Sequence, residues 1–232
     1  MIEIRGLTKR YGDKAAVQDL SLSLAEGEIF AFLGPNGAGK TTTLKVLAGL
    51  IRPTCGAVTI GGHDILTDGL AARRLISYVP DEPFLYEKLT AREFIRMVGD
   101  LYGMEREKTE ERMGVLAQQF EITGFMDDLC ETFSHGMKQR VVIAAALLHE
   151  PRALVIDEVT VGLDPKMTRV LKNALQRLAH AHGVSVLLST HVLSVAQEVA
   201  DRIGILTEGR LVAVGTLDEL RALQAQRGGR AD

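Results

Sequence analysis

The segment Gly34-Pro35-Asn36-Gly37-Ala38-Gly39-Lys40-Thr41 has the spacing G-x-x-x-x-G-K-[ST]. Its chemistry is the holding of phosphates. Glycines let backbone N–H groups turn inward around an anion with no Cβ in the way. Lys40 can neutralise β- and γ-phosphates, and the Thr41 hydroxyl, with Thr42 beside it, can serve a Mg²⁺ ion. A second pair of reactive residues stands far along the chain, where the apolar run Ala153-Leu154-Val155-Ile156 ends in Asp157-Glu158. Side chains alternate along a strand, so adjacent acids at its end point to different sides. Asp157 can then face the metal, usually through water, while Glu158 polarises an attacking water as general base. Either piece alone could be a glycine-rich turn or a solvated strand end, and their combination is what points to chemistry.

The elements needed to position these residues are also legible. Glu28 to Leu33 is a short apolar run halted at Gly34, as in a buried strand. After Lys40, Leu44, Leu47, Ala48 and Ile51 fall at helical spacing, weakened by Gly49 and stopped by Pro53. Ile2 and Ile4 alternate with polar residues, and Val17, Leu20, Leu22 and Leu24 suggest a second strand that ends at Glu26-Gly27. Val58-Thr59-Ile60 before Gly61-Gly62, and Leu75 to Val79 before Pro80, read as further strands. From Thr90 the pattern turns helical: Thr90 with Glu93 forms a capping box, followed by Phe94, Met97, Val98 and Leu101, then Met113, Leu116, Ala117 and Phe120. Strands return after Pro151, with Ala153 to Ile156 and Val184 to Leu188 separated by a helical face of Val170, Leu171, Ala174, Leu175 and Leu178. Ile203 to Leu206 and Leu211 to Val214 flank Glu208-Gly209-Arg210 as a hairpin, and Thr216 with Glu219 caps a final helix. We expect one α/β domain over residues 1–225, with 1–83 and 151–225 as core, about 84–150 as an inserted helical subdomain, and 226–232 as a frayed tail. No internal repeat is visible, which implies a single nucleotide-binding unit.

Composition narrows the class. The 232 residues are 46% hydrophobic and 25% charged, ordinary for a globular protein, and the net charge is −3 with no basic stripe, so no nucleic-acid partner is expected. The longest apolar run, Val141 to Leu148, is well short of the roughly 20 residues that cross a bilayer, and Met1-Ile2-Glu3-Ile4-Arg5 is not a secretory signal. Cys55 and Cys130 are far apart and read as two reduced thiols.

The two phosphate-handling motifs define only a broad class of P-loop ATPases, and three further stretches narrow it. Phe133-Ser134-His135-Gly136-Met137-Lys138-Gln139-Arg140 resembles the L-S-G-G-Q signature, followed by x-Q-R, of the ATP-binding-cassette (ABC) family. Gly162-Leu163-Asp164-Pro165 is similar to its D-loop, and Ser189-Thr190-His191 to its switch histidine. The set runs in the family's order over nearly the whole chain. The resemblance implies an α/β P-loop NTPase fold: a RecA-like core with an N-terminal antiparallel β subdomain and an inserted α-helical subdomain. It implies ATP and Mg²⁺ as ligands, held by Gly34, Pro35, Asn36, Gly37, Ala38, Gly39, Lys40, Thr41 and Thr42, with Thr41 and Asp157 toward the metal. Glu158 and His191 would be catalytic, the histidine bonding the γ-phosphate or the attacking water. Family members bind two ATPs between head-to-tail subunits, so Ser134 and Gly136 would reach the γ-phosphate held by a second subunit, read here as another copy. Asp164 would lie at that junction. Tyr11, in Thr8-Lys9-Arg10-Tyr11-Gly12, matches the aromatic that stacks on adenine. The implied function is ATP hydrolysis driving solute transport, with a lean toward export, through a separate polytopic membrane permease. The chain would then be cytoplasmic, against the inner face of the membrane. Two alternatives stay open: a non-transport ABC ATPase, although one cassette without long coiled coils argues against it, and a regulatory ATP-binding subunit.

The sequence departs from the family at several places. Asp81 stands where the family has Gln, whose carbonyl touches Mg²⁺. A carboxylate can also ligate Mg²⁺, so Asp81 is a candidate metal ligand, but it adds negative charge beside ATP and cannot donate a hydrogen bond. His135 and Met137 replace Gly and Gln in the signature, and Val159 replaces the Pro that often follows the catalytic Glu. Phe84, Leu85 and Tyr86 form a docking patch if exposed, or ordinary helical packing if not.

Overall fold

The computed structural model describes residues 1–158 and 164–228. The strands in chain order are β1 (Ile2–Tyr11), β2 (Lys14–Leu24), β3 (Ile29–Leu33), β4 (Cys55–Ile60), β5 (His63–Asp64), β6 (Ile76–Val79), β7 (Ala153–Asp157), β8 (Ser185–Thr190), β9 (Arg202–Thr207) and β10 (Arg210–Gly215). The helices are α1 (Lys40–Leu47), α2 (Gly69–Arg74), α3 (Ala91–Leu101), α4 (Arg106–Gln119), α5 (His135–Leu147), α6 (Pro165–His182), α7 (Leu193–Val199) and α8 (Leu217–Gly228).

They build two sheets. The smaller is antiparallel with order β2-β1-β4-β5. Ile2 lies opposite Leu24 and Ile4 opposite Leu22, so the alternation read from sequence becomes one buried face. The larger has six strands in the order β10-β9-β3-β8-β7-β6, parallel except for the edge strand β10. The central strands β3, β7 and β8 are continuous apolar runs because both of their faces are covered. Ile29, Ala31, Leu154, Ile156, Val186 and Leu188 face a core filled from α3 to α7. Phe30, Phe32, Ala153, Val155 and Leu187 face a second core with α1 and the antiparallel sheet. Asp157 lies two residues beyond Val155 and therefore points to the α1 side.

Between β6 and β7 every regular element is helical among the described residues. The expected capping box forms: the Thr90 hydroxyl accepts from the Glu93 N–H at 3.2 Å and the Glu93 carboxylate accepts from the Thr90 N–H at 2.8 Å. The Thr216–Glu219 pair makes the same exchange at α8. Three details differ from expectation. Leu101 is exposed despite its helical spacing, because it is the last residue of α3 and lies past the core. α1 closes at Leu47, and Ile51 lies in the following turn. α8 continues to Gly228, so the chain stays helical beyond the expected start of the tail at 226. The rest of that tail lies outside the described residues, as do Val159, Gly162 and Leu163. α2 and α7 were not anticipated; both are short and neither has a side-chain cap to announce it.

Candidate functional site

The phosphate loop joins β3 to α1. Gly39 is the N-cap of α1 with φ of 103°, in the left-handed region, and gives the helix no side-chain cap. α3, α5 and α6 instead start with Thr90, Ser134 and Asp164 accepting from N–H groups of their first turns. The uncapped N–H groups of α1 leave the positive end of its dipole for an anion. At Gly39 an added Cβ would also meet the Ala16 carbonyl at 2.4 Å, whereas at Gly37, φ 80°, it would meet nothing within 4 Å. Gly39 is thus required by packing, while Gly37 borders open space where a ligand can approach. Ala38 is buried and its N–H donates to the Pro35 carbonyl at 3.2 Å, closing the turn.

Lys40 folds back over this turn. Its ammonium donates to the carbonyls of Gly34 at 2.7 Å and Pro35 at 3.1 Å, and lies 3.4 Å from Glu158 Oε1 with only 4% of its side chain exposed. Glu158 follows β7 in a left-handed conformation, φ 48°, which costs a non-glycine residue on the order of 1 kcal/mol. Its other oxygen, Oε2, is 3.0 Å from His191 Nδ1. Ser189, which no motif singles out for a role, ties the two acids together. Its hydroxyl donates to Asp157 Oδ1 at 2.5 Å and accepts from the Glu158 N–H at 3.2 Å. Only the parallel register, which sets Asp157 opposite Ser189, reveals this role. Burial pushes the Asp157 carboxyl above its usual range. The Ser189 and Thr41 hydroxyls counter that shift, and the charges of Asp81 and Glu158 add to it.

These residues border a cleft of about 430 Å³ lined by Tyr11, Asn36, Gly37, Gly39, Lys40, Thr41, Thr42, Asp81 and Glu158, with Lys14 and Ala16 as unanticipated wall. Tyr11 is 53% exposed there, with the Lys9 ammonium 4.9 Å from its ring centre. Gly34, Pro35 and Ala38 form the back of the loop, and His191 reaches the cleft through Glu158. Ser134, Gly136 and Asp164 do not line it. Ser134 is exposed at the start of α5 and accepts from the Met137 N–H at 3.3 Å, while Asp164 accepts from the Met167 N–H at 2.8 Å as the cap of α6.

The donor set suits Mg²⁺. Asp157 Oδ2 is buried without a hydrogen-bond partner, and the Thr41 hydroxyl and the Asp81 carboxylate are further hard oxygens. Among the described residues no three His, Cys, Asp or Glu side chains converge on one point, so a cation here would complete its shell with Thr41 and with phosphate or water oxygens.

A second concavity of about 270 Å³ lies where the helical segment meets β6, lined by Tyr78, Phe84, Phe94, Val98, Tyr102 and His149 among others. Phe84 and Tyr86 are 70% and 52% exposed, and Leu85 is buried, so the loop splits between the two expectations set for it. Tyr78 Oη and His149 Nδ1 are buried without partners. Burial, and then the charges of Asp157 and Asp81, push the Tyr78 hydroxyl's pKa up.

A phosphate loop, a carboxylate pair and a histidine thus meet at the carboxyl ends of neighbouring parallel strands, and a family model described as "ABC transporter" matches residues 17–161. The chain belongs to the ABC transporter ATP-binding family. The linearmycin resistance ATP-binding protein LnrL of Bacillus subtilis (strain 168) is 37% identical over 220 residues, covering 95% of this chain and 70% of the relative. The daunorubicin/doxorubicin resistance protein DrrA of Streptomyces peucetius is 38% identical over 221 residues, covering 95% and 67%. A solved ATP-binding subunit of an ABC transporter superposes with a TM-score of 0.92 at 36% identity, covering 98% of this chain and 95% of that one. The dimeric bacterial ABC transporter cassette MJ0796 superposes with a TM-score of 0.86 at 29% identity, covering 94% and 99%. The cassette therefore has the P-loop NTPase core, N-terminal β subdomain and α-helical subdomain implied by its sequence, and it is an ABC ATPase that binds and hydrolyses ATP with Mg²⁺.

Proposed function

We propose that the cassette pairs with a second copy around two MgATP and drives export through a separate polytopic membrane permease, lying against the cytoplasmic face of the membrane. The observation that carries the catalytic part is Glu158 held between Lys40 and His191 at the mouth of the phosphate cleft. Glu158 neutralises Lys40 across 3.4 Å. When phosphates enter the loop, Lys40 gains another anionic partner and Glu158 is released to face water. Its carboxylate then takes the water's proton as the water oxygen bonds to the γ-phosphorus, the bond from that phosphorus to the β–γ bridging oxygen breaks and ADP leaves, while His191 orients the pair by its bond to Oε2. Bound Mg²⁺ would neutralise phosphate charge, with Asp157, Thr41 and Asp81 as the residues to hold it. Tyr11 offers an exposed ring for adenine. The exposed starts of α5 and α6, with Ser134, Gly136 and Asp164, suit contact with a second copy's nucleotide.

Export is supported by relatives named for drug resistance and by one named for bacitracin transport. No helix among the described residues is long and apolar enough to cross a membrane, and a separate permease is supported by relatives named as ATP-binding proteins. The concavity beside Phe84 suits a permease segment: it is apolar, holds two unpartnered buried polar atoms, and adjoins the Asp81 loop that also lines the nucleotide cleft. Tagged protein purified from gently solubilised membranes tests the reading. One polytopic chain in stoichiometric yield, lost on Phe84→Asp, supports it. Ribosomes or soluble proteins alone would overturn the transport claim.

A further inference from the structure

A cleft lies at the opposite end of the parallel sheet from the phosphate loop. It encloses about 680 Å³, within the range of small-molecule sites. Its floor is formed where chain enters the sheet: Glu26 ahead of β3, Arg152 ahead of β7, and Gly183 and Val184 ahead of β8. One wall comes from α4 and the end of α5, the other from the end of α6. α4 packs on α3 and α5, and α6 on β3, β8 and α7; the two helices share the core beneath the cleft but do not pack extensively on each other.

The chemistry of the lining is specific. Three arginines, Arg112, Arg152 and Arg177, face two glutamates, Glu26 and Glu150. Arg112 is fully engaged: it donates to the carbonyls of Leu147 at 3.1 Å and Leu148 at 3.0 Å and to Glu150 at 2.8 Å. Arg152 pairs with Glu26. Glu150 also takes Lys108 at 3.2 Å. Arg177 has no hydrogen bond or ion pair among the described residues, and neither has His182. The cleft therefore carries an uncompensated guanidinium. Between these charges lie Val115, Leu116, Leu147, Leu178 and Val184, with Val115 61% exposed.

The geometry points to a binding site for an acidic amphiphile, a small organic anion whose charged head meets Arg177 and whose apolar body lies on Val115, Leu116 and Leu178. A purely inorganic anion would leave the apolar wall wet, and a purely apolar ligand would gain nothing from the Arg177 charge. An occupant would bridge α4 to α6. It would also lie at the amino ends of the strands whose carboxyl ends carry Asp157 and His191, so it need not compete with nucleotide. The site does not depend on the transport reading.

Anilinonaphthalene sulfonate, an aromatic body with one sulfonate, is a direct probe. Titrated into the full chain, its fluorescence should rise and saturate at one site per chain. Decanoate should displace it, and decylammonium should not. Arg177→Glu should weaken the probe by about tenfold or more, since it removes a charge-assisted contact and installs repulsion, while Arg177→Lys should stay within about threefold. Arg177 is exposed and unpaired, so both variants should fold, and an unchanged melting temperature checks this. Saturating MgATP should leave the probe bound. Displacement by MgATP, indifference to Arg177→Glu, or fluorescence that never saturates would overturn the proposal.

Discussion

Changing Glu158 to Gln should move two properties in opposite directions. The substitution keeps the shape but removes the charge that Lys40 faces at 3.4 Å. At an effective dielectric of about 20, two unit charges at that separation attract by about 5 kcal/mol. Both side chains are largely withdrawn from water, Lys40 at 4% and Glu158 at 20% exposure, so much of that attraction is felt. Gln can still accept a hydrogen bond, and the net value of a hydrogen bond to a charged group is about 1.5–3 kcal/mol. An incoming phosphate no longer competes with a carboxylate for Lys40. ATP should therefore bind roughly ten- to a hundredfold more tightly to Glu158→Gln. Calorimetric titration of dilute protein in EDTA isolates this effect from hydrolysis. With Mg²⁺ restored, single-turnover hydrolysis should fall by at least about a hundredfold, because the proposed general base is gone. Unchanged or weaker ATP binding would refute the competition between Glu158 and phosphate. Undiminished hydrolysis would refute Glu158 as the base.

Gly39→Ala should melt roughly 5–10 °C lower and lose nucleotide binding, because its Cβ meets the Ala16 carbonyl at 2.4 Å and φ of 103° disfavours a side chain. Scanning calorimetry with and without ATP checks both. Ser189→Ala removes one hydroxyl donor from the buried Asp157 carboxylate and should cost about 1–3 kcal/mol in urea unfolding. His149 stacks on Tyr102 with ring centres 3.5 Å apart, and burial followed by the Arg112 charge lowers its pKa from 6.5 to about 4. The unfolded chain takes up that proton first, so this contribution to stability is complete above about pH 6.5 and is lost as pH falls toward 4. His149→Phe should flatten unfolding free energy across that window.

Much of this was legible because several local signals each carry one physical cause. The strand before Gly34, the acids after Ile156 and the two capping boxes are set by neighbours within a few residues, and all form as read. Phe94, Met113, Leu116 and Phe120 are buried as their spacing predicts. What sequence hid depends on pairing between distant segments. Ser189 acts only because β8 lies beside β7 in one register, and Lys14 and Ala16 reach the cleft only because β2 runs past the phosphate loop. Short helices such as α7, without caps or a full apolar face, leave almost no trace in the sequence.

The sheet order also bears on how the protein must be made. β3, which presents the phosphate loop, has β8 and β9 as its neighbours in the sheet, and neither exists until synthesis has passed Val184. Until then Ile29-Phe30-Ala31-Phe32-Leu33 is an apolar strand without those neighbours, the kind of segment that sticks to other chains and that holdase chaperones shield. The nascent chain carries the whole phosphate-binding motif long before it has a site. A fragment that ends before β8 would contain every residue of that motif and still be unable to hold a nucleotide.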